Sequence, residues 1–215
     1  MSTLDATRLI EFVAPLARVL NREFEIALVD VDVACSKGNL DLPAHPYGTA
    51  RTHLTRARAR RRLESATDLE GWTLSHSSGP NTPIHLHKGE SSVRVLHTWD
   101  EKVVPSSGKN RARRAFYCNT PFENLGGQEV LFAQEKYLIL WRVDVQGQLN
   151  LRLIHPVGDW KYGSIAKYDL AIDLIADADE YSKLVFVAAD DDDANEFRLP
   201  NEQEGEEVGA ADISS

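Results

Sequence analysis

Glycine does not occur before Gly38, and in 215 residues methionine occurs once and cysteine twice. The missing N-terminal glycines leave no glycine-rich phosphate loop in the first 37 residues. Cys35 and Cys118 are far apart and form no C-x-x-C pair, so neither a disulfide framework nor a zinc ribbon is available, and a reduced, cytoplasmic setting is expected. No apolar run approaches the roughly 18 to 20 residues that span a bilayer. Asp5, Arg8 and Glu11 interrupt the apolar pattern at the N-terminus, which is not the composition of a signal peptide. The chain also lacks G-x-S-x-G, the P-loop, G-x-G-x-x-G and H-E-x-x-H, and with them the local signatures of several large enzyme classes. No internal repeat is found.

Most of the chain has little net charge of either sign. The net charge is -9, yet residues 1–175 carry 22 Lys+Arg against 20 Asp+Glu, while residues 176–215 carry 2 against 13. The body is near neutral and the acidity sits in the tail.

The most strongly patterned stretch is VLFAQEKYLILWRVDVQGQLNLRLIHP, residues 130–156. Its unbroken Leu138-Ile139-Leu140-Trp141 run reads as a strand buried on both faces. Val145-Gln146-Gly147-Gln148 reads as a tight turn, with Gly147 free to take positive φ. In the return strand Leu149, Leu151 and Leu153 alternate with Asn150, Arg152 and Ile154, which predicts one core face and one at least half-wet face.

Upstream, Leu9, Phe12, Val13, Leu16 and Leu20 predict an amphipathic helix over residues 5–22, kinked or split near Ala14 by Pro15. Residues 24–34, FEIALVDVDVA, have strand composition. Residues 49–66 predict a second helix. Strands follow over 71–76, 83–88 and 92–98, a strand or helical turn over 113–119, and further strands over 167–175 and 184–188. From Asp190 onward there is almost nothing to bury. The expected fold is α+β, with N-terminal helices on a mostly antiparallel sheet of about six to eight strands. One domain spans 1–199, mainly helical over 1–70 and mainly β over 71–189, and an acidic tail over 200–215 is expected to be disordered.

Two arginine clusters stand out. Arg51, Arg58 and Arg62 lie on one stripe of the second helix, with Arg56, Arg60 and Arg61 beside it; Lys109, Arg111, Arg113 and Arg114 form the second cluster, followed by Phe116 and Tyr117. Guanidinium groups pair with phosphate oxygens, and an adjacent aromatic ring stacks on a base. The acidic tail would compete for the same cations.

His85-x-His87 puts two imidazoles on one face of a strand. Together with Gly79 and Glu90 they resemble the first motif of the cupin family, which implies a metal at His85 and His87. Here only two residues separate His87 from Glu90 and no second motif supplies a third histidine, so the reading is two polar-face imidazoles without a metal. Pairing of Lys88 with Ser91 would set His87 opposite Ser92 and His85 opposite Arg94, with His97 on the other face.

Asp30-x-Asp32 resembles the paired carboxylates with which nucleotidyltransferases hold magnesium. Asp100-x-Lys102 and Gln134-x-Lys136, with Glu123 or Glu129, resemble the acid-x-Lys element of restriction-endonuclease-like nucleases, where carboxylates bind Mg²⁺ and lysine orients water.

The leading expectation is a non-catalytic cytoplasmic binding or regulatory protein without a cofactor. It would contact nucleic acid or another acidic partner through Arg51, Arg58, Arg61, Arg62, Lys109, Arg111, Arg113 and Arg114. One alternative is a Mg²⁺-dependent nuclease or phosphodiesterase using Asp100, Lys102, Glu129 or Lys136. The other is a protein-interaction module built on a sheet edge or on the aromatics near Trp160 and Tyr162.

Overall fold

The computed structural model describes residues 3–40, 48–76, 83–100, 103–108, 114–119, 135–158, 166–174, 185–188 and 195–198. Two helices, α1 (Thr3–Lys37) and α2 (Gly48–Ser65), precede eight strands. These are β1 (Thr73–Leu74), β2 (Ile84–Lys88), β3 (Ser91–His97), β4 (Lys136–Val143), β5 (Leu149–Pro156), β6 (Tyr168–Leu174), β7 (Val185–Ala188) and β8 (Asn195–Arg198). They form one sheet in the order β1-β2-β3-β4-β5-β6-β8-β7, antiparallel except at β3/β4 and β6/β8. The fold is α+β, as the order of elements in the sequence implies. None of the described helices is long and apolar enough to cross a membrane.

Residues 24–34 are not a strand; α1 runs through them, and through Pro15, as one helix. Leu9, Val13, Leu16, Leu20, Phe24, Ala27, Val31 and Cys35 are all buried, and steps of three and four residues join them into one helical stripe. In a strand Val29, Val31 and Val33 would share a face. Here Val31 is 4% exposed while Val29 and Val33 are 63% and 51% exposed. The apolar period outweighs the modest helix penalty of β-branched side chains.

The stripe packs with Ala59 and Leu63 of α2 onto one sheet face, through Ile84, Leu86, Val93, Val95, Ile139, Trp141, Leu151, Leu153 and Ile172. The other face is also covered, because Val104, Phe116, Tyr117 and Ala166 lie over Leu138, Leu140, Ile154 and Ala171. Residues 151–156 are therefore buried throughout, which corrects the half-wet face expected for this strand. Within the acidic region, β8 pairs with β6 and β7 through backbone ladders that need no apolar sequence. The tail expected over 200–215, Trp160 and Tyr162 lie outside the described residues.

The central hairpin forms as its turn predicts. Asp144 Oδ1 accepts from the Gln146 and Gln148 amides at 2.9 and 2.8 Å, and Gly147 takes φ 84°. A Cβ at Gly147 would meet nothing within 4 Å, so only backbone strain opposes a side chain. Gly147→Ala should cost about 1 kcal/mol in urea denaturation. An unchanged midpoint would show that the turn relaxes.

Candidate polyanion interface

Most of the described arginines of α2 are spent on holding the fold. Arg51 pairs with Asp32, Arg58 with Asp30 at 2.7 Å and Arg62 with Glu23 at 2.7 Å, so the stripe zips α2 onto α1. Arg60 is buried, donating to Pro83 O, to Ser75 O at 2.9 Å and to Glu64 at 3.0 Å. Arg61, the most exposed of these paired arginines, lies 3.4 Å from Glu64. Arg56 Nη2 lies 3.0 Å from His53 Nδ1, and burial lowers the pKa of its guanidinium. Asp30 and Asp32, expected on a strand, sit on α1 as partners of these arginines; with two cations already against them they are poor magnesium ligands.

A second set of cations and rings gathers on the sheet face turned away from the helices. The β2–β3 hairpin has the register its turn implies, with Lys88 opposite Ser91, His87 opposite Ser92 and His85 opposite Arg94. Because side chains alternate along a strand, His85, His87 and Arg94 share that face. The Phe116 ring lies 4.5 Å from the His85 ring and 5.9 Å from the Arg94 guanidinium carbon. His87 is 5.2 Å from His85, and its Nε2 lies 2.7 Å from Ser75 Oγ. Burial, then the charges of Arg94 and His87, push His85 down to about 4, so it is a neutral imidazole at pH 7. Its Nε2 is buried without a partner among the described residues.

The ring of Phe116 belongs to a short arm, residues 114–119. Arg114 is exposed and accepts the Tyr117 amide at its carbonyl at 2.9 Å, a single helical turn. The Tyr117 hydroxyl donates to Pro105 O. Asn119 Nδ2 donates to Lys136 O and Pro156 O, each at 2.7 Å, which fastens the arm to the ends of β4 and β5. Lys109, Arg111 and Arg113 lie outside the described residues and precede Arg114 directly in the chain.

The acid-x-Lys candidates are not brought together where they are described. Strands β3 and β4 run parallel with Ser92 opposite Lys136, and Asp100 follows the far end of β3. At about 3.3 Å per residue, His97 lies roughly 17 Å along the strand from Ser92, and Asp100 follows at that end. Lys102, Glu123, Glu129 and Gln134 lie outside the described residues. No group of three or more His, Cys, Asp or Glu that could hold a metal occurs among the described residues. His97, on the helix-facing side as expected, stacks edge-on with Trp99 and Trp141, and burial lowers it to about 4. Cys35 is buried and Cys118 exposed.

Two features had no signal in the sequence. A cavity of about 610 Å³ opens at the end of the sheet where β6 stops, between α1 and the β4–β5 turn. Arg142 and Arg152 line it together with Glu25, Asp32 and Asp173, so its charges select neither an anion nor a cation. At the opposite end His155 lies fully buried between Glu135 and Asp169. Its partners come from separate strands, and no local spacing announces them. Comparison with known protein families, curated proteins and solved structures finds no match to this chain.

Proposed function

We propose that this protein is a non-catalytic binding protein that holds a phosphate-bearing polyanion, with single-stranded nucleic acid the expected class. The ligand would lie on the face formed by His85, His87, Arg94 and the Arg114–Phe116 arm. The observation that carries this reading is the placement of Arg94 with two imidazoles and the Phe116 ring on one face, with the exposed Arg114 two residues before Phe116 in the chain. Arg51, Arg58 and Arg62 of α2 face carboxylates of α1. Guanidinium groups bind phosphate oxygens and imidazoles donate or accept at neighbouring atoms, while the buried Phe116 ring packs against His85 and Arg94. Lys109, Arg111 and Arg113 extend the charge along the chain, and the carboxylates beyond residue 175 compete for it.

Binding of a labelled single-stranded oligonucleotide across a salt series tests the proposal. Affinity should fall with salt, with each phosphate contact adding about 0.7 to the log–log slope. The double variant Arg94→Ala/Arg114→Ala should bind at least about tenfold more weakly and with a shallower slope, whereas Arg58→Ala should bind like the parent. A chain ending at Pro200 should bind more tightly. Equal binding by the parent and the double variant, or no binding by either at low salt, rules the face out.

A further inference from the structure

Three strand ends meet at His155. It is the next-to-last residue of β5 and 0% exposed. Its Nδ1 lies 2.6 Å from Asp169 Oδ1 and its Nε2 lies 3.1 Å from Glu135 Oε2. A β-bulge aims the first carboxylate: His155 is opposite Leu170 and Pro156 opposite Tyr168, so Asp169 is the extra residue on β6. The second carboxylate stands immediately before β4, where the Glu135 carbonyl accepts the Ser92 amide at 3.0 Å. Tyr137, on β4, sets its ring 5.5 Å from the imidazole and buries its hydroxyl without a partner among the described residues. Glu135, Tyr137 and Asp169 are titratable groups that face His155.

A neutral imidazole has one N–H, and an imidazolium has two. Only the imidazolium can donate to both carboxylates at once. Loss of its proton leaves a ring lone pair against one of them. Nδ1–H keeps the shorter bond to Asp169, and the Nε2 lone pair then faces Glu135. Burial alone would lower the imidazole pKa; hydrogen bonds to Asp169 and Glu135, and their charges, outweigh it and raise the pKa above the ordinary 6.5. Tyr137 is pushed well up by burial and by the same two carboxylates, so it stays protonated.

The two carbonyls held by Asn119 belong to Lys136, next to Glu135, and to Pro156, next to His155. The clamp on the 114–119 arm therefore rests on the two strand ends that the imidazolium ties together. We infer that Glu135–His155–Asp169 is a proton-operated latch: the imidazolium holds β4 and β5 in place for Asn119, and loss of the proton releases Glu135 and loosens the arm. The direction follows from the raised folded-state value. The latch is closed below about 6.5 and opens as pH rises through the folded value, because the folded form binds the proton more tightly than the unfolded chain.

Hydrogen exchange of the full chain, corrected for intrinsic rates, tests the latch without any ligand, so it stands or falls apart from the polyanion reading. Histidine ring resonances supply the His155 titration in the same samples. Protection of amides in residues 114–119 should drop about tenfold for each unit by which the folded value exceeds 6.5, with its midpoint on the His155 titration. Amides of β2 should not follow. In Glu135→Gln the side-chain amide donates to the neutral ring, so protection should stay constant across the same range. PH-independent protection, a midpoint away from the His155 titration, or a drop retained in Glu135→Gln overturns the latch. The wild-type comparison decides by itself if the variant does not fold.

Discussion

Phe24→Ala should lower the unfolding free energy by about 3–5 kcal/mol, the range for emptying a large aromatic site in a close-packed core. Phe24 is fully buried at the middle of the α1 stripe, with its ring 5.1 Å from that of Trp141 on β4. Truncation removes the ring that joins the helix layer to the central strand, and helix and sheet close the space only in part. Val33→Ala serves as the internal comparison. It lies in the same FEIALVDVDVA segment but is exposed, so its loss should change stability by less than about 0.5 kcal/mol. Urea denaturation of both variants reads the difference. Similar small effects would mean that the apolar stripe does not carry the packing, and a large effect at Val33 would return the segment to a strand.

Arg60→Ala should cost about 3 kcal/mol, with Arg61→Ala within about 0.5 kcal/mol of the parent. The two side chains are adjacent in one cluster and differ in what surrounds them. Arg60 is 6% exposed, and its guanidinium donates to the carbonyls of Ser75 and Pro83, the residues after β1 and before β2. Its removal takes the buried donor away from both carbonyls, while the Glu64 carboxylate, 37% exposed, turns to water. Lysine at position 60 should recover little, since a point ammonium cannot reproduce the planar fork. Arg61 reaches Glu64 in solvent, where an ion pair adds almost nothing. Denaturation midpoints of the three variants check this. If Arg60→Ala left stability intact but weakened oligonucleotide binding, Arg60 would belong to the interface and not to the core.

The hairpins were legible in the residues themselves. Val145-Gln146-Gly147-Gln148, and the four residues from Lys88 to Ser91, place each turn, and a turn sets the register of the strands it joins. The positions of His85, His87 and Arg94 on one face followed from that arithmetic. The α1 stripe was legible only in part. Its period of three and four continues from Leu9 to Cys35, but the valines alternating with Asp30 and Asp32 mimic a strand when composition is weighed above period.

The meaning of the charges was not legible. Six arginines on one helix look alike in sequence, whereas the carboxylates that meet Arg51, Arg58 and Arg62 lie 19, 28 and 39 residues away. His155 likewise gathers Glu135 from 20 residues before it and Asp169 from 14 after, the latter through a bulge. The sequence by itself determined the class of the fold, the two hairpins, the second helix and the face shared by His85, His87 and Arg94, because period and turn chemistry act over a few residues. Only the tertiary structure decided which arginines are neutralised within the fold, which of them lie beside an aromatic arm, and that an imidazole is enclosed by two carboxylates. Those outcomes depend on which distant elements pack together and on how far water is excluded where they meet.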